Sequence, residues 1–168
     1  MRVDSYRFLP RSFRPLYEDP QRLPGEDAPV WAPATRRLGE SRVTLLTSAG
    51  LYLEGEQPSF DLERERREPT WGDPDWRRLP HALPAAGLAM AHLHLNSADI
   101  VADHNVALPV DVLDDLVAEG VVGGATAEHV SVMGYQEHGL AAWRDVTAPA
   151  IVERLRDLGS DLVVLAPV

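Results

Sequence analysis

The last eight residues, Asp161–Val168, read DLVVLAPV, a near-continuous apolar run. A run that short and apolar suits a strand covered on both faces, the situation of strands in a parallel sheet. An amphipathic helical pattern precedes it. Thr147 is the expected cap, Pro149 falls in the first turn, and Ile151, Val152, Leu155 and Leu158 form the buried stripe. Gly159 closes that helix. Upstream, Arg42–Thr47 (RVTLLT) is short, apolar and β-branched, a second strand ending in the small-residue turn Ser48-Ala49-Gly50. Ala89–Asn96 (AMAHLHLN) alternates, so a strand there would carry His92, His94 and Asn96 on one face. Ser97 could cap a short helix reaching Asp103. Asp111 could cap a helix over Val112–Glu119, stopped by Gly120, and Val130–Val132 suits a short strand. Strands alternating with helices predict a three-layer α/β domain with a mainly parallel sheet, over residues 41–168.

Residues 1–40 differ in kind. Prolines at 10, 15, 20, 24, 29 and 33 exclude a long helix, and scattered aromatics suit an extended arm pinned onto the domain.

Between Phe60 and Pro80 the chain reads FDLERERREPTWGDPDWRRLP. Eleven of these 21 residues are charged, with Trp71 and Trp76 set among them. Disordered segments are poor in Trp, and no repeating apolar stripe marks a helix beyond Phe60 and Leu62. Pro69, Gly72 and Pro74 punctuate what reads as an ordered, charged loop, the kind of segment that often carries function. The competing reading is a surface connector held by i,i+4 pairs such as Glu63 with Arg67.

Net charge is −10, so nucleic acid and anionic lipid are not expected partners. All 16 basic residues are Arg. The chain has no Cys, hence no thiol nucleophile or thiolate metal site of its own. The first 20 residues lack an apolar signal core and no apolar run reaches membrane-spanning length, which predicts a cytoplasmic protein.

His92 and His94 have a spacing that metal sites use, with Asp99, Asp103 and His104 close by in sequence. HLHLNSADIVADHN does not reproduce the contiguous HxHxDH pattern of metallohydrolases. The alternatives are polar residues satisfied at a strand end and neutral imidazoles that exchange protons near pH 7. No glycine fingerprint for nucleotides and no nucleophile elbow is present. Tyr135, in SVMGY, could bond a substrate or simply pack.

VDSYRFLPRSF, ESRVTLLTSAGLYLEGEQPSFDLERERREPTWGDPDWRRLP, HLHLNSADIVADHNVALPVDVL, SVMGY and DLVVLAPV, in that order, resemble the selenoprotein B family of glycine, sarcosine, betaine and D-proline reductases. The likeness runs along nearly the whole chain. It implies reductive cleavage of a small amino acid or amine. A pyruvoyl group on a partner subunit binds the substrate amine as a Schiff base, and a selenolate displaces the amine from carbon. In that family a selenocysteine or Cys motif follows a strand like DLVVLAPV, so the nucleophile is expected after Val168 and this chain alone is expected to be inactive. With the site at the carboxyl ends of the strands, the resemblance groups Thr47–Tyr52, His92–Asp99 and Val168. His94, His92 and Asp99 become candidate catalytic residues, His94 as proton donor to the leaving amine. Glu54, Asp61, Glu63, Arg64, Arg67, Asn96 and Tyr135 become candidate substrate contacts, with Arg64 or Arg67 as a fork for a carboxylate. Expected partners are the small substrate and other reductase subunits; no cofactor is expected in this chain itself. Two other readings stay open: a non-catalytic binding subunit, and a metal-dependent hydrolase built on His92, His94 and Asp103.

Overall fold

A computed structural model describes residues 11, 32–68, 71–84, 86–93, 95–134 and 140–168. The chain divides into two units, Met1–Pro33 and Ala34–Val168. Nearly all of the first, and with it most of the expected arm over residues 1–40, lies outside the described residues.

The second unit is built on β1 (Arg42–Thr47), which is hydrogen-bonded along both edges. β7 (Leu162–Ala166) runs parallel to it from Val43↔Leu162 to Thr47↔Ala166. The other edge is shared by β5 (Gly124–Ala125) and β6 (Glu128–Val132), both parallel. β3 (Trp76–Pro80) closes the sheet beyond β6, antiparallel. β2 (Leu51–Leu53) and β4 (Leu88–Met90) form a separate antiparallel pair. Helices lie on both faces, so the domain is three-layered α/β with a mainly parallel sheet, as the alternation of elements predicted.

Register fixes which side chains share a face. One face of the main sheet carries Val43, Leu45 and Leu79, and α3 (Val110–Ala118) buries Val110 and Leu113 against it, with α2 (Ser97–Ala102) adding Ile100. The other carries Leu46, Val130, Val132 and Trp76, covered by Ile151 and Leu155 of α5 (Ala148–Asp157). β1 is buried throughout except Arg42 and, in part, Leu46.

Four expectations need correction. Ala89–Asn96 is not one strand: β4 ends at Met90, and the chain then turns so that Asn96 caps α2, accepting from the Ala98 N–H at 3.2 Å. Asn96, rather than Ser97, is the cap. Thr147 does not cap α5. It sits within continuous helix formed by α4 (Leu140–Ala142) and a π-helical segment, Trp143–Thr147, and its hydroxyl donates to Pro74 O at 2.6 Å. The charged segment is not a loop throughout. It contains a capped helix, α1 (Leu62–Arg67), and the whole of β3. Lastly, β7 is apolar without being covered on both faces: Val163, Val164 and Leu165 are all exposed.

The turn after β1 is tightly packed. Gly50 has φ 65°, and a Cβ there would lie 2.3 Å from Ala91 O and 2.6 Å from the Met133 sulfur. Its N–H donates to Val132 O and its carbonyl accepts from Ala91, tying β1, β4 and β6 together at one point. Gly50→Ala combines a left-handed backbone with overpacking, each costing on the order of 1–3 kcal/mol. An unfolding free energy from urea denaturation lowered by about 2–6 kcal/mol is expected, and an unchanged one would reject this packing.

Candidate functional site

The carboxyl ends of β1, β6 and β7 converge on one edge. Ser48 follows β1, Met133 and Gly134 follow β6, and Pro167 and Val168 follow β7. Backbone bonds stitch them together: Ser48 N–H to Ala166 O at 3.3 Å and Gly134 N–H to Ser48 O at 3.0 Å. The Ser48 hydroxyl oxygen accepts from the Val168 N–H at 2.9 Å. A Cβ on Gly134 would lie 2.9 Å from Ser48 Cβ, so only glycine lets β6 come this close to Ser48.

The charged segment reaches this edge through its apolar residues. Phe60 is buried with Ala91 and Met133, and Leu62 and Tyr52 pack against them. That contact seats α1 beside the end of β6. Asp61 caps the helix, accepting from Arg64 N–H at 2.9 Å, and its own N–H donates to the buried Asp73 carboxylate at 2.8 Å. Asp61 is thus held in the frame of the segment. Arg64 pairs with Glu68 at 3.1 Å and lies 4.2 Å over the Trp71 ring. Arg67 is exposed, and among the described residues its contact is a long one, Nε to the Glu63 carbonyl at 3.4 Å, which leaves its fork the freer of the two. Glu63 is exposed in the first turn.

The expected site residues do not all meet there. Glu54 is exposed after β2, its N–H bonded to Gly87 O. It adjoins Leu53 and Gln57, which line a groove of about 210 Å³ with Arg78 and Glu128 at the start of β6, away from the carboxyl edge. His92 is half-buried just past Ala91. Asn96 and Asp99 are paired with each other at 2.9 Å. His94 and Tyr135 lie outside the described residues. Among the described residues no group of three His, Asp or Glu is placed to hold a metal ion.

Sequence reasoning missed the buried charges of this segment. Arg77 donates to the carbonyls of Pro58, Ser59 and Trp76 and stacks 4.3 Å over Phe60, while Glu65 and Asp73 are almost wholly buried. The available signal was local. Asp73 precedes Pro and accepts from Asp75 N–H, an Asx turn that WGDPDW spells out.

It also missed a histidine relay toward the amino end of β6. Between β5 and β6 the register on β1 slips by two residues, which leaves the Leu45 N–H without a ladder partner. His129 Nδ1 accepts that proton at 3.1 Å. Its Nε2 must then carry hydrogen and donate to His81 Nδ1 at 3.0 Å, and His81 Nε2 donates to Asp114 at 2.9 Å. Burial, then the neighbouring His81, push the His129 pKa down to about 4, against a smaller upward pull from Asp114. A depressed histidine contributes stability that is complete above its unfolded value of 6.5 and lost as pH falls toward 4. The expected loss across that window is on the order of 3 kcal/mol. Urea unfolding at pH 7.5 and 4.5 measures it. If His129→Asn retains the same pH slope as the parent, the relay is not its source.

A curated protein was found to match this chain: D-proline reductase subunit gamma of Acetoanaerobium sticklandii, 26% identical over 143 residues. The match covers 85% of this chain and 55% of the relative, so the chain spans just over half the length of that protein. No family model and no solved structure matches. The chain is a distant relative of this reductase subunit. Among the described residues no helix is long and apolar enough to cross a membrane.

Proposed function

We propose that this chain is the N-terminal part of a cytoplasmic, selenoprotein-B-like reductase that cleaves a small amino acid or amine of the glycine, betaine, sarcosine or D-proline type. The nucleophile, a selenol or thiol, follows Val168. The observation that carries the reading is the Ser48 hydroxyl on the Val168 N–H, which holds Val168 at the edge where β1 and β6 end. The distant likeness to a reductase subunit supports the same reading.

The chemistry needs a low-pKa chalcogen, and this chain has no Cys. At carbon, a selenolate or thiolate forms a new bond as the carbon–nitrogen bond breaks, and the amine departs with a proton. A second thiol then releases the reduced product, leaving a selenium–sulfur or disulfide bond for an external dithiol to reduce. A pyruvoyl group on a partner subunit would supply the carbonyl that takes up the substrate amine. In this reading the chain's own residues bind and orient: Arg67 forks a substrate carboxylate, and His94 is the proton donor, with His92 and Asp99 nearby in sequence.

The reading is tested first in the gene. An in-frame UGA or a Cys codon directly after Val168, with a further Cys codon close behind and a native mass above 18.5 kDa, is expected. A UAA or UAG there with a native mass of 18.5 kDa would remove it. In the complete protein, Arg67→Gln is expected to raise KM for a carboxylate substrate about tenfold with little change in kcat, the signature of lost uniform binding. Arg64→Gln should do less, because Arg64 is already engaged by Glu68 and Trp71.

A further inference from the structure

β7 has the composition of an interior strand in the position of an edge. Val163, Val164 and Leu165 are 38%, 47% and 67% exposed. Consecutive strand residues point to opposite faces, so β7 is bare on both. Ser48 N–H donates to Ala166 O, which turns the backbone groups of Leu162, Val164 and Ala166 toward β1 and those of Val163 and Leu165 outward. No strand among the described residues pairs with that outer side. Edge strands are ordinarily blunted by charge, bulges or cover, and Leu162–Ala166 has no charge and no bulge.

A second copy of the chain does not repair this. Two β7 strands paired edge to edge would leave the α5 helices, centred over the β6–β1 pair, roughly 19 Å apart at ordinary strand spacing. That leaves a gap about one further helix wide over Leu165. What fits is a helix and a strand together.

The topology says on which face the helix lies. Right-handed crossovers that step across a sheet in the same direction put their helices on the same face. The step from β6 over β1 to β7 places α5 on the Val130 face, and the opposite step from β1 to β5 places α3 on the Val43 face. A next step outward from β7 therefore returns to the Val130 face. That is the face carrying Val163 and Leu165. It is also the side of Val152, which is 42% exposed. Val152 lies about half a turn around α5 from Ala150, which faces β3.

We propose that β7 is an interior strand of the complete polypeptide. A helix following Val168 packs over Leu165, Val163 and Val152, and the strand after it pairs in parallel with the open edge of β7. The inference rests on the reading that the polypeptide continues past Val168. The relative, with 45% of its length outside the match, has chain enough for such a unit.

The test is hydrogen exchange on this 168-residue chain and on the polypeptide extended through the downstream reading frame, with Ser in place of the selenocysteine or Cys directly after Val168. The Val163 and Leu165 amides are expected to exchange at least about a hundredfold more slowly in the extended form. Leu165→Asp should lower the Tm of the extended protein by several degrees and leave that of the short chain nearly unchanged. Outward amides still open in a folded extended protein would overturn the proposal, as would a short chain that dimerises and protects them. The extended protein with its native residue after Val168 separates the two readings. Protected amides without a reactive selenol or thiol leave this inference standing and remove the reductase. A reactive nucleophile beside open amides does the reverse.

Discussion

β1 is the strand on which the rest of the domain is built. Its six residues bond to β7 on one edge and to β5 and β6 on the other, and its side chains enter both apolar layers. Such a strand cannot slip by one residue without moving Val43, Leu45 and Thr47 to the wrong face. Two local devices hold the register. At the amino end, Thr126 bonds Val43 O from both its amide and its hydroxyl, and His129 takes up the Leu45 N–H that the register slip leaves over. At the carboxyl end, Gly50 and Gly134 permit backbone contacts that a Cβ would block.

A separate buried contact orders the charged segment. Arg77 is a β3 residue opposite Ser131 and nearly buried, and its ion pair with the exposed Asp75 is long, at 3.9 Å. Its charge is met by three carbonyl oxygens and the face of Phe60. A guanidinium presents five donors in a fixed fork, so it can satisfy several main-chain acceptors at once where Lys would offer a point charge. The segment from Pro58 to Phe60 is thereby fastened to the sheet, and Phe60 in turn seats α1 against Met133. The exposed arginines of α1 are presented by a buried one.

The parallel order was legible because RVTLLT and DLVVLAPV are short and apolar and amphipathic helical patterns lie between them. β3 was not, because WRRLP offers little alternation: Arg77 is buried and Trp76 half-exposed, which inverts the usual reading. α1 was hidden because its stripe is only Phe60, Leu62 and a buried acid, Glu65. The extended reading of AMAHLHLN failed for the opposite reason. Only its first two residues, Ala89 and Met90, belong to β4; the Ala91 N–H then reaches back to Gly50 O and the chain leaves the strand there. The His81–His129 contact joins residues 48 apart, and nothing local in the sequence announces it.

The carboxyl edge has a further property that bears on chemistry. The polar groups described there are largely spoken for. The Ser48 oxygen holds Val168, Asp61 caps a helix and Asp73 holds Asp61. A nucleophile is activated by a neighbouring base, a metal or a low intrinsic pKa. Ser48, already accepting a main-chain N–H and with its own backbone tied to both neighbouring strands, has no described base within bonding reach. Its use of the hydroxyl is structural: it aims Val168. Among the described residues, the edge supplies rigid backbone and an apolar seat for α1, whose Arg66 and Arg67 are exposed. The sequence adds no thiol to this edge, since the chain has no Cys.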